Sequence, residues 1–151
     1  MTELLKYDNG LRVVVNTVRG VRSVASGFWV GVGSAYESDE NNGLSHFTEH
    51  VTFKGTDDLS AFDIAHRFES YGAAFNAFTS KECTCYYAKS IDEYAENCFA
   101  LLGEILLRSV YARSPPQARP VYLFHKVEIG RTEVETSSIE NDGAPAFINF
   151  P

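Results

Sequence analysis

Between residues 11 and 109 the apolar positions switch period from two to about 3.6, and then repeat the switch, an order that few folds satisfy. Asn9-Gly10 reads as a tight turn feeding the β-branched run Leu11-Arg12-Val13-Val14-Val15, a strand that ends near Asn16. Residues 23–32 form a second strand, with Val24, Phe28 and Val30 on alternating positions and glycines where another backbone passes closely. Adjacency along the chain predicts that these two strands pair antiparallel. A loop rich in turn residues then leads into 44–53, which lacks Pro and Gly and sets Leu44, Phe47 and Val51 at helical spacing. After Lys54-Gly55-Thr56, Ser60 with Asp63 three positions on predicts a capping box for a second helix. That helix has one apolar face of Phe62, Ile64, Ala65 and Phe68 and a stop at Tyr71-Gly72. Residues 75–79 and 84–88, joined at Ser80-Lys81-Glu82, read as a β-hairpin. A third helix over 92–109 aligns Tyr94, Cys98, Leu101, Leu102, Ile105 and Leu106. The order ββααββα predicts an α+β fold in which an antiparallel sheet packs against helices.

This pattern occupies residues 1–110. Beyond it, Pro115, Pro116 and Pro120 interrupt the periodicity, and 126–141 are polar with isolated apolar residues. Residues 111–151 are therefore expected to form a divergent tail and no separate domain. The fold is expected to be incomplete at its carboxy terminus, which would expose apolar faces of the helices at 60–71 and 92–109 unless a partner covers them. A chain of 151 residues with 44% hydrophobic content suits one globular domain. Its formal charge of -7, with no run of Lys and Arg, argues against a nucleic-acid partner. No apolar run approaches the roughly 20 residues needed to span a bilayer, so no membrane is expected. The first residues lack the basic-then-apolar order of an export signal. Cys83, Cys85 and Cys98, without Cys-x-x-Cys spacing, read as reduced, buried thiols, and the expected compartment is the cytoplasm.

The chemistry concentrates in His46-Phe47-Thr48-Glu49-His50. On a helix, residues four apart share a face one turn apart, so both imidazoles reach a single ion at typical Zn–N distances of about 2.0–2.1 Å. Glu49 stands beside such an ion without needing to coordinate it. From there it takes a proton from metal-activated water and passes it to the leaving amine. Two histidines at this spacing, taken alone, are more often structural, and the Glu between them favours the catalytic reading.

Gly43-Leu44-Ser45-His46-Phe47-Thr48-Glu49-His50-Val51-Thr52-Phe53-Lys54-Gly55-Thr56 resembles the signature of the pitrilysin/insulinase family of zinc metallopeptidases, the inverzincins, in particular the short bacterial and processing-peptidase-like branch. The likeness extends to Tyr7-Asp8-Asn9-Gly10-Leu11-Arg12-Val13, similar to the family's opening strand. It includes Gly31-Val32-Gly33-Ser34-Ala35-Tyr36-Glu37, similar to the loop before its metal helix, and Asn76-Ala77-Phe78-Thr79-Ser80-Lys81-Glu82, similar to its hairpin. Over roughly residues 5–110 the chain thus resembles an amino-terminal fragment of such a peptidase. The resemblance implies a Zn2+ cofactor, His46 and His50 as ligands and Glu49 as general base. It also implies an edge strand, at Asn76 and Ala77, that takes up a peptide or unfolded protein as an added strand.

A catalytic zinc usually has three protein ligands. The family places its third, a Glu, roughly 75 to 80 residues after the second His, on a later helix. Ungapped continuation of the match puts that helix near 118–127, where Phe124, His125 and Lys126 occupy the acidic positions and Glu128 is the nearest carboxylate. Glu133 and Glu135 serve only with a small insertion, His125 is a possible replacement in kind, and a solvated polar side chain is the plainer reading of each. Family members also use a second related domain or subunit to close around substrate. Three functions follow as expectations: a zinc endopeptidase domain, a catalytically incompetent peptide-binding or scaffold domain of the same fold, and a plain site for another divalent ion such as copper or nickel.

Overall fold

The computed structural model describes residues 2–110 and the backbone of a strand at Val121–Phe124. The chain opens with an antiparallel ribbon of β1 (Thr2–Lys6) and β2 (Arg12–Asn16), with Leu4 opposite Val14. The turn at Asn9-Gly10 closes it for a local reason. Gly10 takes φ +85°, where only glycine is unstrained, and Asn9 Oδ1 accepts from the Leu11 N–H at 3.0 Å. The first strand of this ribbon gives no sequence signal, because all five of its residues are exposed and no apolar alternation marks it.

A second sheet has the order β4-β5-β3-β6, built from β3 (Ser23–Val30), β4 (Ala74–Thr79), β5 (Thr84–Ile91) and β6 (Val121–Phe124), with each neighbouring pair antiparallel. The pairing expected between 11–15 and 23–32 does not form. β3 gives one edge to β5 along its whole length, from Ser23 opposite Ile91 to Val30 opposite Thr84, and the other to β6 over Gly27–Val30. An eight-residue register with a distant strand outweighs adjacency along the chain. β6 also corrects the helix expected near 118–127. Val121-Tyr122-Leu123-Phe124 are β-branched, aromatic and apolar, and Pro120 disfavours the helical conformation just before them.

The helices cover this sheet. α3 (Ala95–Arg108) packs over β5 and β3, and α1 (Leu44–Thr52) and α2 (Ala61–Ser70) lie against β4. Cys98, Leu101, Leu102 and Ile105, at helical spacing on α3, are fully withdrawn from solvent and join Phe28, Tyr86 and Ala88 of the sheet in one core. From α2 come Ile64 and Phe68, the latter stacked on Phe75 with ring centroids 4.3 Å apart. The capping box is present: Asp63 N–H donates to Ser60 Oγ at 3.2 Å, and Ser60 N–H to Asp63 Oδ2 at 2.9 Å. Such a cap contributes about 1 kcal/mol, and it holds the Asp63 carboxyl below its ordinary range. Phe62 departs from the expected apolar face. It is 75% exposed and stacks on His66, one turn further along α2. The three cysteines are free and buried, as expected, and burial pushes the Cys85 thiol far up. The result is the α+β arrangement that the alternating periods predict.

Candidate metal centre

The position of α1 is set from outside the helix. Gly33 approaches the β4–β5 turn so closely that a Cβ there would stand 2.3 Å from Ser80 O and 2.7 Å from Lys81 O. Ser34 N–H then donates to Ser80 O at 3.1 Å and Ala35 N–H to Lys81 O at 2.8 Å, which docks the loop on the turn. From that loop Glu37 reaches the start of α1, where its two carboxylate oxygens accept from Gly43 N–H and Ser45 N–H, each at 2.7 Å. The N-cap, Gly43, has no side chain to do this. Those bonds, Ser45's first and Gly43's second, lower the Glu37 pKa, and the helix dipole favours the same charge.

The buried face of α1 is small and polar. Ser45 and Thr52 face inward, Thr52 Oγ1 donates to Thr48 O at 2.7 Å, and it lies 3.3 Å from the Tyr86 hydroxyl. The helical spacing of Leu44, Phe47 and Val51 therefore holds, but they do not form the core face. Leu44 is 53% and Phe47 60% exposed, Val51 is half-buried, and the fully buried side chains of the helix are Ser45 and Thr52.

This orientation leaves His46 and His50 on the exposed side, with ring centroids 4.4 Å apart and planes tilted by 55°. Among the described residues neither imidazole makes a hydrogen bond, so their nitrogens are open to a ligand. Half-buried Glu49 lies between them on the helix, and its Oε2 accepts a hydrogen bond from Thr79 Oγ1 at the end of β4. Two imidazoles one turn apart are chemically suited to zinc. No group of three or more His, Cys, Asp and Glu side chains is placed to hold a metal among the described residues, so Glu49 does not make up a third donor. Glu128, Glu133, Glu135 and His125 lie outside the described residues.

Asn76 and Ala77 lie on β4, which ends the sheet order. Ser80 N–H donates to Cys83 O in the turn, so the alternation of an antiparallel ladder makes Phe78 and Asn76 the residues bonded to β5. The Ala77 N–H consequently points to the outer edge, where Asn76 Oδ1 accepts from it at 2.8 Å. Two residues of this region, Glu37 and Thr79, lie in stretches that resemble the family, but spacing gives no sign of their contacts with α1. Thr79 sits thirty positions from Glu49, and Glu37 is one acid in a loop of polar residues.

Comparison with known proteins shows the family and the fold. The family model for insulinase, peptidase family M16, matches residues 12–129. An uncharacterized zinc protease of Bacillus subtilis, YmxG, is 50% identical over 104 residues, covering 69% of this chain and 25% of that protein. The mitochondrial-processing peptidase subunit beta of Rattus norvegicus is 34% identical over 148 residues, covering 98% of this chain and 30% of that protein. The chain thus spans a quarter to a third of the length of these curated relatives. Among solved structures, a protease from Helicobacter pylori superposes with a TM-score of 0.68 at 26% identity, over 72% of this chain and 26% of the other. A peptidase M16 inactive domain from Pseudomonas fluorescens, at 18% identity and a TM-score of 0.67 over 74% of this chain and 27% of its own, shares the fold. The chain belongs to the insulinase family of peptidases, family M16.

Proposed function

We propose that this chain supplies the metal-binding part of a zinc-dependent endopeptidase, with His46 and His50 as ligands, Glu49 as general base and the outer edge of β4 as the place where an extended peptide docks. The observation that carries this reading is the arrangement on α1: two exposed imidazoles one turn apart, without a hydrogen bond among the described residues, and between them a carboxylate held by Thr79. Zinc, when bound, supplies a Lewis acid that activates water and polarises the scissile carbonyl. The chain's own residues do the rest. Glu49 takes the proton of the attacking water and returns it to the amine nitrogen as the peptide bond breaks, a role worth about 10²–10⁴ in rate. The Ala77 N–H, once Asn76 releases it, offers a backbone donor to a docked strand and so asks little of its sequence. Glu128 is our candidate for the third ligand. Because the chain spans only 25% to 30% of its curated relatives, we assign closure of the site to a second family domain or subunit.

The test pairs Glu49→Gln with wild type on a quenched peptide library, with zinc content measured for both. Retained zinc with at least about a hundred-fold slower cleavage is the expected result. Equal rates at equal zinc content would remove Glu49 from its role. Phe124, His125 and Lys126 at the positions where the ungapped match expects acids support a second reading, a non-catalytic scaffold that keeps the peptide-docking edge. A protein that holds no metal after dialysis against excess zinc favours that second reading.

A further inference from the structure

We propose that Thr79 is a positioning residue for Glu49, fixing the carboxylate through one oxygen so that the other stays turned to the reacting water. The proposal rests on the reading of Glu49 as general base. Thr79 Oγ1 donates to Glu49 Oε2 across the gap between β4 and α1. Glu49 Oε1 has no hydrogen-bond partner among the described residues, and it is the oxygen left to exchange a proton.

The donor is itself held firmly. Thr79 is the last residue of β4, opposite Thr84, and Ser80 beside it is tied by its N–H to Cys83 O at 2.8 Å and by its carbonyl to Ser34 N–H at 3.1 Å. Its β-branched side chain has little χ1 freedom, so a fixed backbone becomes a fixed hydroxyl. A glutamate side chain has three rotatable bonds, and ordering them before reaction removes an entropic cost that the transition state would otherwise bear.

Thr79 also stands two residues after Ala77, and in a strand such residues share a face. The strand proposed to receive the peptide therefore also holds the base. Any shift of β4 on docking moves peptide and carboxylate together, which preserves the distance between the scissile bond and Glu49.

Thr79→Val, close in shape but without the hydroxyl, and Thr79→Ser, which keeps it, are compared in the zinc-loaded protein. Thr79→Val should lower kcat by about ten- to a hundred-fold with KM and zinc content unchanged, and Thr79→Ser should restore most of the loss. Urea midpoints of Thr79→Val, Glu49→Ala and the double variant should be non-additive, a readout independent of activity. A wild-type kcat in Thr79→Val, failure of Thr79→Ser to rescue, or strict additivity overturns the positioning role while leaving Glu49 as base. A Glu49→Gln form as fast as wild type at equal zinc content overturns the reading of Glu49 as general base and this proposal with it.

Discussion

Gly33→Ala isolates a purely steric demand. Gly33 lies at φ -156° and ψ -173°, extended backbone open to any residue, so nothing about its dihedrals requires glycine. The obstacle is the β4–β5 turn: an added Cβ meets the Ser80 and Lys81 carbonyl oxygens at 2.3 and 2.7 Å, and backbone atoms do not rotate aside. The loop must withdraw, and the hydrogen bonds from Ser34 and Ala35 to that turn are lost with it. Two backbone hydrogen bonds at about 1 kcal/mol each, with an overpacking term of about 1–2 kcal/mol, give a destabilisation of about 3–4 kcal/mol. For a urea m-value of about 1.5 kcal/mol/M, the unfolding midpoint falls by about 2 M. Trp29 on β3, the one tryptophan of the chain, reports the transition by fluorescence. Gly20→Ala is the control, since Gly20 has φ +93° and open space around its Cβ position, and it should cost only the left-handed penalty of about 1–2 kcal/mol. A Gly33→Ala midpoint no lower than that of Gly20→Ala refutes the steric reasoning.

Two further outcomes follow from neighbouring parts of the fold. Glu37 has a folded pKa below its ordinary value of 4.5, so its charge stabilises the native state above that value, and the contribution is lost as pH falls through the depressed one. The gap in urea midpoint between wild type and Glu37→Gln should therefore narrow from about pH 6 to about pH 3, and a constant gap contradicts the assignment. Phe68→Ala, at a site with no exposure, should cost about 3–5 kcal/mol by the same assay, whereas Phe62→Ala on the same helix should stay within about 0.5 kcal/mol. Comparable losses at both positions would show that the described burial of α2 is wrong.

What the sequence reveals of this fold is what a single turn of chain decides. The capping box at Ser60 and Asp63, the Asn9-Gly10 turn, the hairpin and the apolar stripe of α3 are each settled by residues within a few positions of one another. Sheet order is not, because the choice of β5 over β2 as partner for β3 depends on registers sixty residues apart. The face of α1 is missed for a related reason: hydrophobic periodicity assumes that the apolar side is buried, whereas the buried residues here are Ser45 and Thr52, the latter beside the Tyr86 hydroxyl of a distant strand. Within the candidate site, His46, Glu49 and His50 are legible because their relation is helical and local. Glu37 and Thr79 act across loops, where spacing carries no information.

The outer edge of β4 has a consequence for self-association. An unpaired strand edge recognises backbone, and the backbone of a second copy is as good a partner as that of any substrate, so such edges invite aggregation. Here the exposed side chain of Asn76 occupies the Ala77 N–H. It acts as a small reversible cover that another backbone must displace before it can pair, and the docking proposed above would have to displace it as well.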